Sequence, residues 1–134
     1  MAHKIVIDAT NAVLGRLASY AAKQALLGHE IIIVNCDKAI VTGKHSTIIR
    51  EYHISRSRGG SSLNGPHFPK TPERILKRTI RGMLSYKQGR GLAAFKRIIC
   101  YNLVPTEYES TKKIHAGKEK KTTTTTLKHI GEEI

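Results

Sequence analysis

Lys4-Ile-Val-Ile-Asp8, then Leu14-Gly-Arg-Leu-Ala-Ser-Tyr-Ala-Ala-Lys-Gln-Ala25, then Ile31-Ile-Ile-Val34 form the stretch that decides the fold. The first and last pieces are short, apolar and β-branched. They read as strands buried on both faces, the pattern of a parallel sheet. Between them Leu14, Leu17, Ala18, Ala21 and Ala25 recur at helical spacing, with Arg16, Ser19 and Lys23 on the other side, so a helix is expected over about Val13 to Leu27. Thr10 or Asn11 is the expected cap, Asp8 is assigned to capping the same helix, and Gly28 is the expected stop. Strand, helix and strand in some thirty residues make a βαβ unit with a right-handed crossover.

Outward from this unit, Ala39-Ile-Val41 reads as a short third strand and Ile48–Ile54 as a helix with one apolar side. Ser55–Lys70 has no periodicity, three glycines, two prolines and no acid. It reads as a basic loop, expected to be mobile until a polyanion orders it. Thr71-Pro-Glu-Arg74 is a helix start, with Thr71 at the cap, Pro72 in the first turn and Glu73 at the positive end of the dipole. In the helix that follows, Arg74, Lys77, Arg78 and Arg81 fall within an arc of roughly 100°. Ile75, Leu76, Ile80, Met83 and Leu84 take the opposite side. Ser85–Gly91 reads as a Gly-punctuated basic turn, and Ile98–Val104 as the last sheet strand. Residues 1–104 are thus one α/β domain with a basic loop at 55–70, and 105–134 a Lys- and Thr-rich extension of it. Within that extension a short helix near Leu127–Glu133 is expected, capped by a threonine.

The charge is concentrated. The chain of 134 residues carries a net +13. Residues 1–49 hold five bases and three acids, 50–97 twelve and two, and 98–134 six and five. A solvated helix face usually mixes signs, whereas unneutralised charge of one sign repels itself and points to a polyanionic partner. Arginines outnumber lysines in this middle third, and their planar forks suit bidentate phosphate contact and stacking on bases. The candidate contacts are Arg56, Arg58, His67, Lys70, Arg74, Lys77, Arg78, Arg81, Tyr86, Lys87, Arg90, Lys96 and Arg97. Only 5% of residues are aromatic, which argues against a sheet of stacking rings, and structured RNA read by shape and backbone is the expected partner, ahead of DNA.

Other chemistry does not assemble. Gly89-Arg-Gly91-Leu-Ala-Ala94 matches a loose dinucleotide pattern but lacks the strand that should precede it, and Gly43-Lys44 lacks the rest of a phosphate loop. The seven histidines show no metal-ligand spacing. No nucleophile, base and acid form a set. Cys36 and Cys100 read as packed, reduced thiols. The expectation is no catalysis, no cofactor, no metal, no small-molecule substrate and, with no long apolar run, no membrane span.

Asp8-Ala-Thr10, Leu14-Gly-Arg-Leu-Ala18, Val34-Asn-Cys-Asp-Lys-Ala-Ile-Val-Thr-Gly43, Arg78-Thr-Ile-Arg-Gly-Met-Leu-Ser-Tyr-Lys87 and Arg90-Gly-Leu-Ala-Ala-Phe-Lys-Arg97 together resemble the universal large-subunit ribosomal protein thirteen family, over about residues 4–104. Pro69-Lys70, Pro72-Glu-Arg74 and Tyr86-Lys-Gln-Gly-Arg-Gly91 look like its archaeal and eukaryotic branch. The resemblance implies a three-layer α/β/α domain on a mostly parallel four-stranded sheet of order 3-2-1-4. It also implies a cytoplasmic, ribosome-bound structural protein that binds large-subunit rRNA beside neighbouring ribosomal proteins and supports early subunit assembly. Two rivals fit less of the sequence: a non-ribosomal RNA- or DNA-binding protein, and a small nucleotide-using enzyme.

Overall fold

A computed structural model of the chain describes residues 4–57, 69–115 and 124–133. Strand β1 (Lys4–Asp8) and strand β2 (Glu30–Val34) pair in parallel from Lys4↔Glu30 to Asp8↔Val34, joined by helix α1 (Leu14–Leu26). Both faces of this pair are apolar, and side chains alternate between them. Ile7, Ile31 and Ile33 enter the larger core cluster with α1, while Val6, Ile32 and Val34 form a smaller one on the reverse face.

Strand order across the main sheet is β4-β2-β1-β5, all parallel, where β4 is Ile98–Cys100 and β5 is Ile114–His115. One face is covered by α1, by α3 (Pro72–Gly82) and by α4 (Gly89–Lys96). The other is covered by Tyr101, Val104 and Tyr108, carried on a segment with a short 3-10 turn at Thr106–Tyr108. The three-layer α/β class and the mostly parallel four-stranded sheet are as expected, but the strands filling the sheet differ slightly.

Ile40–Thr42, strand β3, is not in the main sheet. Only residues 35–39 separate it from β2, and a parallel return needs a crossover of a dozen residues or more. It instead pairs antiparallel with β6 (Thr124–Thr126). The expected strand Ile98–Val104 is also shorter. Tyr101 N–H still donates to the Ile33 carbonyl (2.8 Å), after which the chain leaves the ladder to cover the reverse face. Helix α2 spans His45–Ser57, so the first residues assigned to the 55–70 loop are helical; residues 58–68 of that loop lie outside the described residues.

The ends of α1 separate two kinds of sequence signal. Gly28, at φ +100°, ends the helix as read. Its N–H donates to the Ala25 carbonyl and that of His29 to Gln24, the Schellman arrangement. At the other end the expectation fails: the N-cap position is Val13, with no side-chain cap. Asp8 is occupied elsewhere. Its Oδ1 accepts from Thr10 N–H (3.0 Å), Thr10 Oγ1 (2.7 Å) and Asn35 Nδ2 (3.1 Å), fastening the C-terminal ends of β1 and β2 together. Thr10 and Asn11 sit in the turn this bond creates, ahead of the helix.

The last described segment completes the core. Leu127 and Ile130 of α5 (Leu127–Glu133) are fully buried in the larger cluster. Thr126 caps the helix, its Oγ1 accepting from His129 N–H at 3.3 Å, as read. The His45 and His129 rings meet with centroids 4.5 Å apart, fixing α5 against the start of α2.

Asp8 sets a pH dependence. Burial raises its pKa, but hydrogen bonds from the Thr10 side chain and backbone and from Asn35, with the charge of His115, outweigh this and hold it below the ordinary 3.8. A lowered folded-state pKa gives stability that is present above the unfolded value and lost as pH falls through the folded one. Asp8→Asn should therefore lower the melting temperature at neutral pH, and its deficit against the parent should shrink as pH drops below about 4.

Candidate nucleic-acid interface

Helix α3 is anchored by Ile75, Leu76 and Ile80, all buried. Thr71 holds the N-cap position, but its hydroxyl makes no capping bond; its carbonyl accepts from Arg74 and Ile75 N–H. Pro72 sets the first turn as read. The apolar side is narrower than expected. The helix ends at Gly82, so Met83 no longer follows the helical period and is 45% exposed, while Leu84 takes the core position.

With that side fixed inward, Arg74, Lys77, Arg78 and Arg81 line one groove of about 530 Å³. Phe95 of α4 and Ile99 and Cys100 of β4 form its apolar walls, and Glu73 lies in it too. On the far side of α3 a second recess, about 340 Å³, runs between α2 and α3 past Glu51, Tyr52, Ser55 and Thr79. Burial, and secondarily Glu51, push the Tyr52 hydroxyl above its ordinary pKa, so it remains a neutral donor.

The four groove cations are not equivalent. Arg74 is exposed. Lys77 is drawn inward: its Nζ donates to the Ile98 carbonyl and lies 4.9 Å from the Phe95 ring centre. The Arg81 guanidinium stacks over Tyr86 at 4.9 Å, and Lys87 Nζ approaches the same ring at 6.0 Å, giving a cation-aromatic-cation cluster on the turn after α3. That turn depends on Gly91, where a Cβ would stand 2.1 Å from the Ser85 carbonyl oxygen. Gly89-Arg-Gly91 is itself the first turn of α4 and not the loop expected from its glycines.

Arg90 and Lys96 are exposed on α4, and Lys70 is exposed just ahead of α3. Arg97 faces the fold. Its Nη1 donates to the Ala25 carbonyl at 2.8 Å, adding a cation to the C-terminal end of α1. Arg58 and His67 lie outside the described residues, and Arg56 falls in α2. Phe95 and Glu73 were not read as site residues. Phe95 carried a signal, an aromatic followed directly by two cations in Phe95-Lys-Arg97; Glu73 carried none beyond its place in the first helical turn. The neighbouring Cys100 and burial hold the Cys36 thiol protonated, and its Sγ donates to the Ile33 carbonyl at 3.6 Å, so the two free thiols are packing, as read.

A surface with this charge, groove and stacking cluster suits a phosphate backbone with accessible bases. Residues 2–107 match the family model described as ribosomal protein L13. The large ribosomal subunit protein uL13 of Methanosarcina barkeri is 54% identical over 110 residues, covering 81% of this chain and 78% of the relative. The uL13 proteins of Methanococcoides burtonii and Picrophilus torridus are 47% and 43% identical, covering 78% and 89% of this chain and 74% and 87% of theirs.

The inward and outward cations should separate on substitution. Arg97→Ala leaves the end of α1 short of a charged donor and should cost about 1–3 kcal/mol in urea unfolding. Arg74→Ala should stay within about 0.5 kcal/mol of the parent.

Proposed function

Since the chain belongs to the ribosomal protein L13 family, we propose that it is a structural constituent of the large ribosomal subunit that binds rRNA through its basic middle third and supports early subunit assembly. The family is structural and non-enzymatic. The observation that carries the RNA reading is the groove of α3: four cations on one side of a helix whose other side is locked into the core. Arg74 is the outermost phosphate contact, and Arg78 and Arg81 line the groove behind it. Tyr86 with Lys87, then Arg90 and Lys96, extend the same positive surface along the turn and α4. Lys70 enters beside α3, with Arg56, Arg58 and His67 on the segment leading to it. Lys77 and Arg97 contribute charge at short range while holding the fold.

Neighbouring large-subunit proteins are the other proposed partners, and the cytoplasmic ribosome the proposed location. Among the described residues no helix is long and apolar enough to cross a membrane.

The test is isolated protein titrated against a large-subunit rRNA fragment over a range of salt. With about six phosphates engaged, log affinity should fall against log salt with a slope of several units, each phosphate contributing roughly 0.7–0.9. A slope near zero would remove the basic third as the binding surface. Arg74→Glu with Arg81→Glu should weaken binding at least about tenfold and flatten the slope by roughly one to two units, with little change in melting temperature. Ile80→Ala should instead cost about 2–5 kcal/mol of stability, leaving affinity of the folded fraction near normal.

A further inference from the structure

We infer that the groove between α3 and β4 accepts one unstacked nucleobase and selects guanine through the carboxylate of Glu73. This rests on the RNA-binding reading and adds to it what the site discriminates.

Two observations carry it. The groove, about 530 Å³, has apolar walls from Phe95 and Ile99, the latter 43% exposed although it belongs to a sheet strand. Such walls serve the face of a base and do nothing for phosphate. Within the same groove Glu73 Oε2 is buried and has no hydrogen-bond partner. Of the groove cations, Lys77 is engaged with the Ile98 carbonyl and Phe95 and Arg81 with Tyr86, and Arg74 is exposed. A buried carboxylate oxygen left without a donor is costly. A phosphate backbone cannot relieve it, since phosphate oxygens only accept. A base edge that brings N–H donors into the groove supplies that partner without drawing a cation away from the phosphates.

Among the bases guanine meets both demands. Its N1–H and N2 amino group lie side by side and can both face one carboxylate, while O6 and N7 offer acceptors to Arg and Lys. Adenine and cytosine present a single amino group next to an unprotonated ring nitrogen. Uracil presents one N–H between two carbonyls, which would oppose the carboxylate. Exposed Arg74 stands at the rim, placed for the phosphate of the same nucleotide.

Short oligouridines carrying one central guanosine, inosine or adenosine, bound to the full chain and followed by fluorescence anisotropy at one fixed salt concentration, test this. The guanosine oligomer should bind about tenfold tighter than the adenosine one, with inosine, which lacks only the N2 amino group, in between. Glu73→Gln should bind all three alike and no more weakly overall, because a negative charge is gone from a cationic groove. Equal binding of the three by the parent, with steep salt dependence retained, overturns the guanine inference and leaves the RNA reading standing. Loss of the guanosine preference in Glu73→Gln supports the inference, and its retention overturns it. Failure to bind any oligomer or rRNA fragment overturns both. The guanosine-inosine comparison on the parent decides even if the variant does not fold.

Discussion

Two parallel strands with apolar side chains on both faces cannot be left half covered, and most of this molecule answers that constraint. Ile7, Ile31 and Ile33 on one side and Val6, Ile32 and Val34 on the other each need a separate roof. The larger roof is α1 with α3 and α4. The alanines of α1 at 18, 21, 22 and 25 keep its surface low, so two further helices can pack on it. Because α3 gives Ile75, Leu76 and Ile80 to that roof, its cations fall together along the groove on its other side. The cationic groove is thus a by-product of how the sheet is covered.

Charge of this density has to be reconciled with folding. The chain does so by giving some of its cations a backbone acceptor. Lys77 reaches the Ile98 carbonyl on the end strand of the main sheet, and Arg97 reaches the last turn of α1. A lysine over an end strand also discourages pairing with another chain. Arg74, Arg90 and Lys96 are exposed, where repulsion among them is screened by salt or removed by a polyanion.

The βαβ unit, the Gly28 stop, the Pro72 helix start and the Thr126 cap were all legible, because each depends on residues a few positions apart. The four-cation arc of α3 was legible for the same reason. What escaped was decided by juxtaposition. Asp8 looks like a helix cap until Asn35 is brought beside it, 27 residues on. Arg97 looks like a plain surface cation until the Ala25 carbonyl, 72 residues away, takes a hydrogen bond from its Nη1. Ile40 looks like a sheet strand until the shortness of its connection to β2 is weighed, and that clue was in the sequence. The partner it takes, a strand from the threonine tract, was not visible at that distance.

That pairing bears on how the chain acquires its structure during synthesis. Ile40 is translated long before Thr126, its partner in β3 and β6, and the places of Leu127 and Ile130 in the core stay unfilled until α5 emerges. Gly131 then closes tightly on the Lys70 carbonyl, where a Cβ would come within 2.5 Å. A nascent chain can form its βαβ unit early from local contacts, yet it waits on residues 124–133 to seat the entrance to α3. The cationic helix is therefore finished only once residues 124–133 have been made.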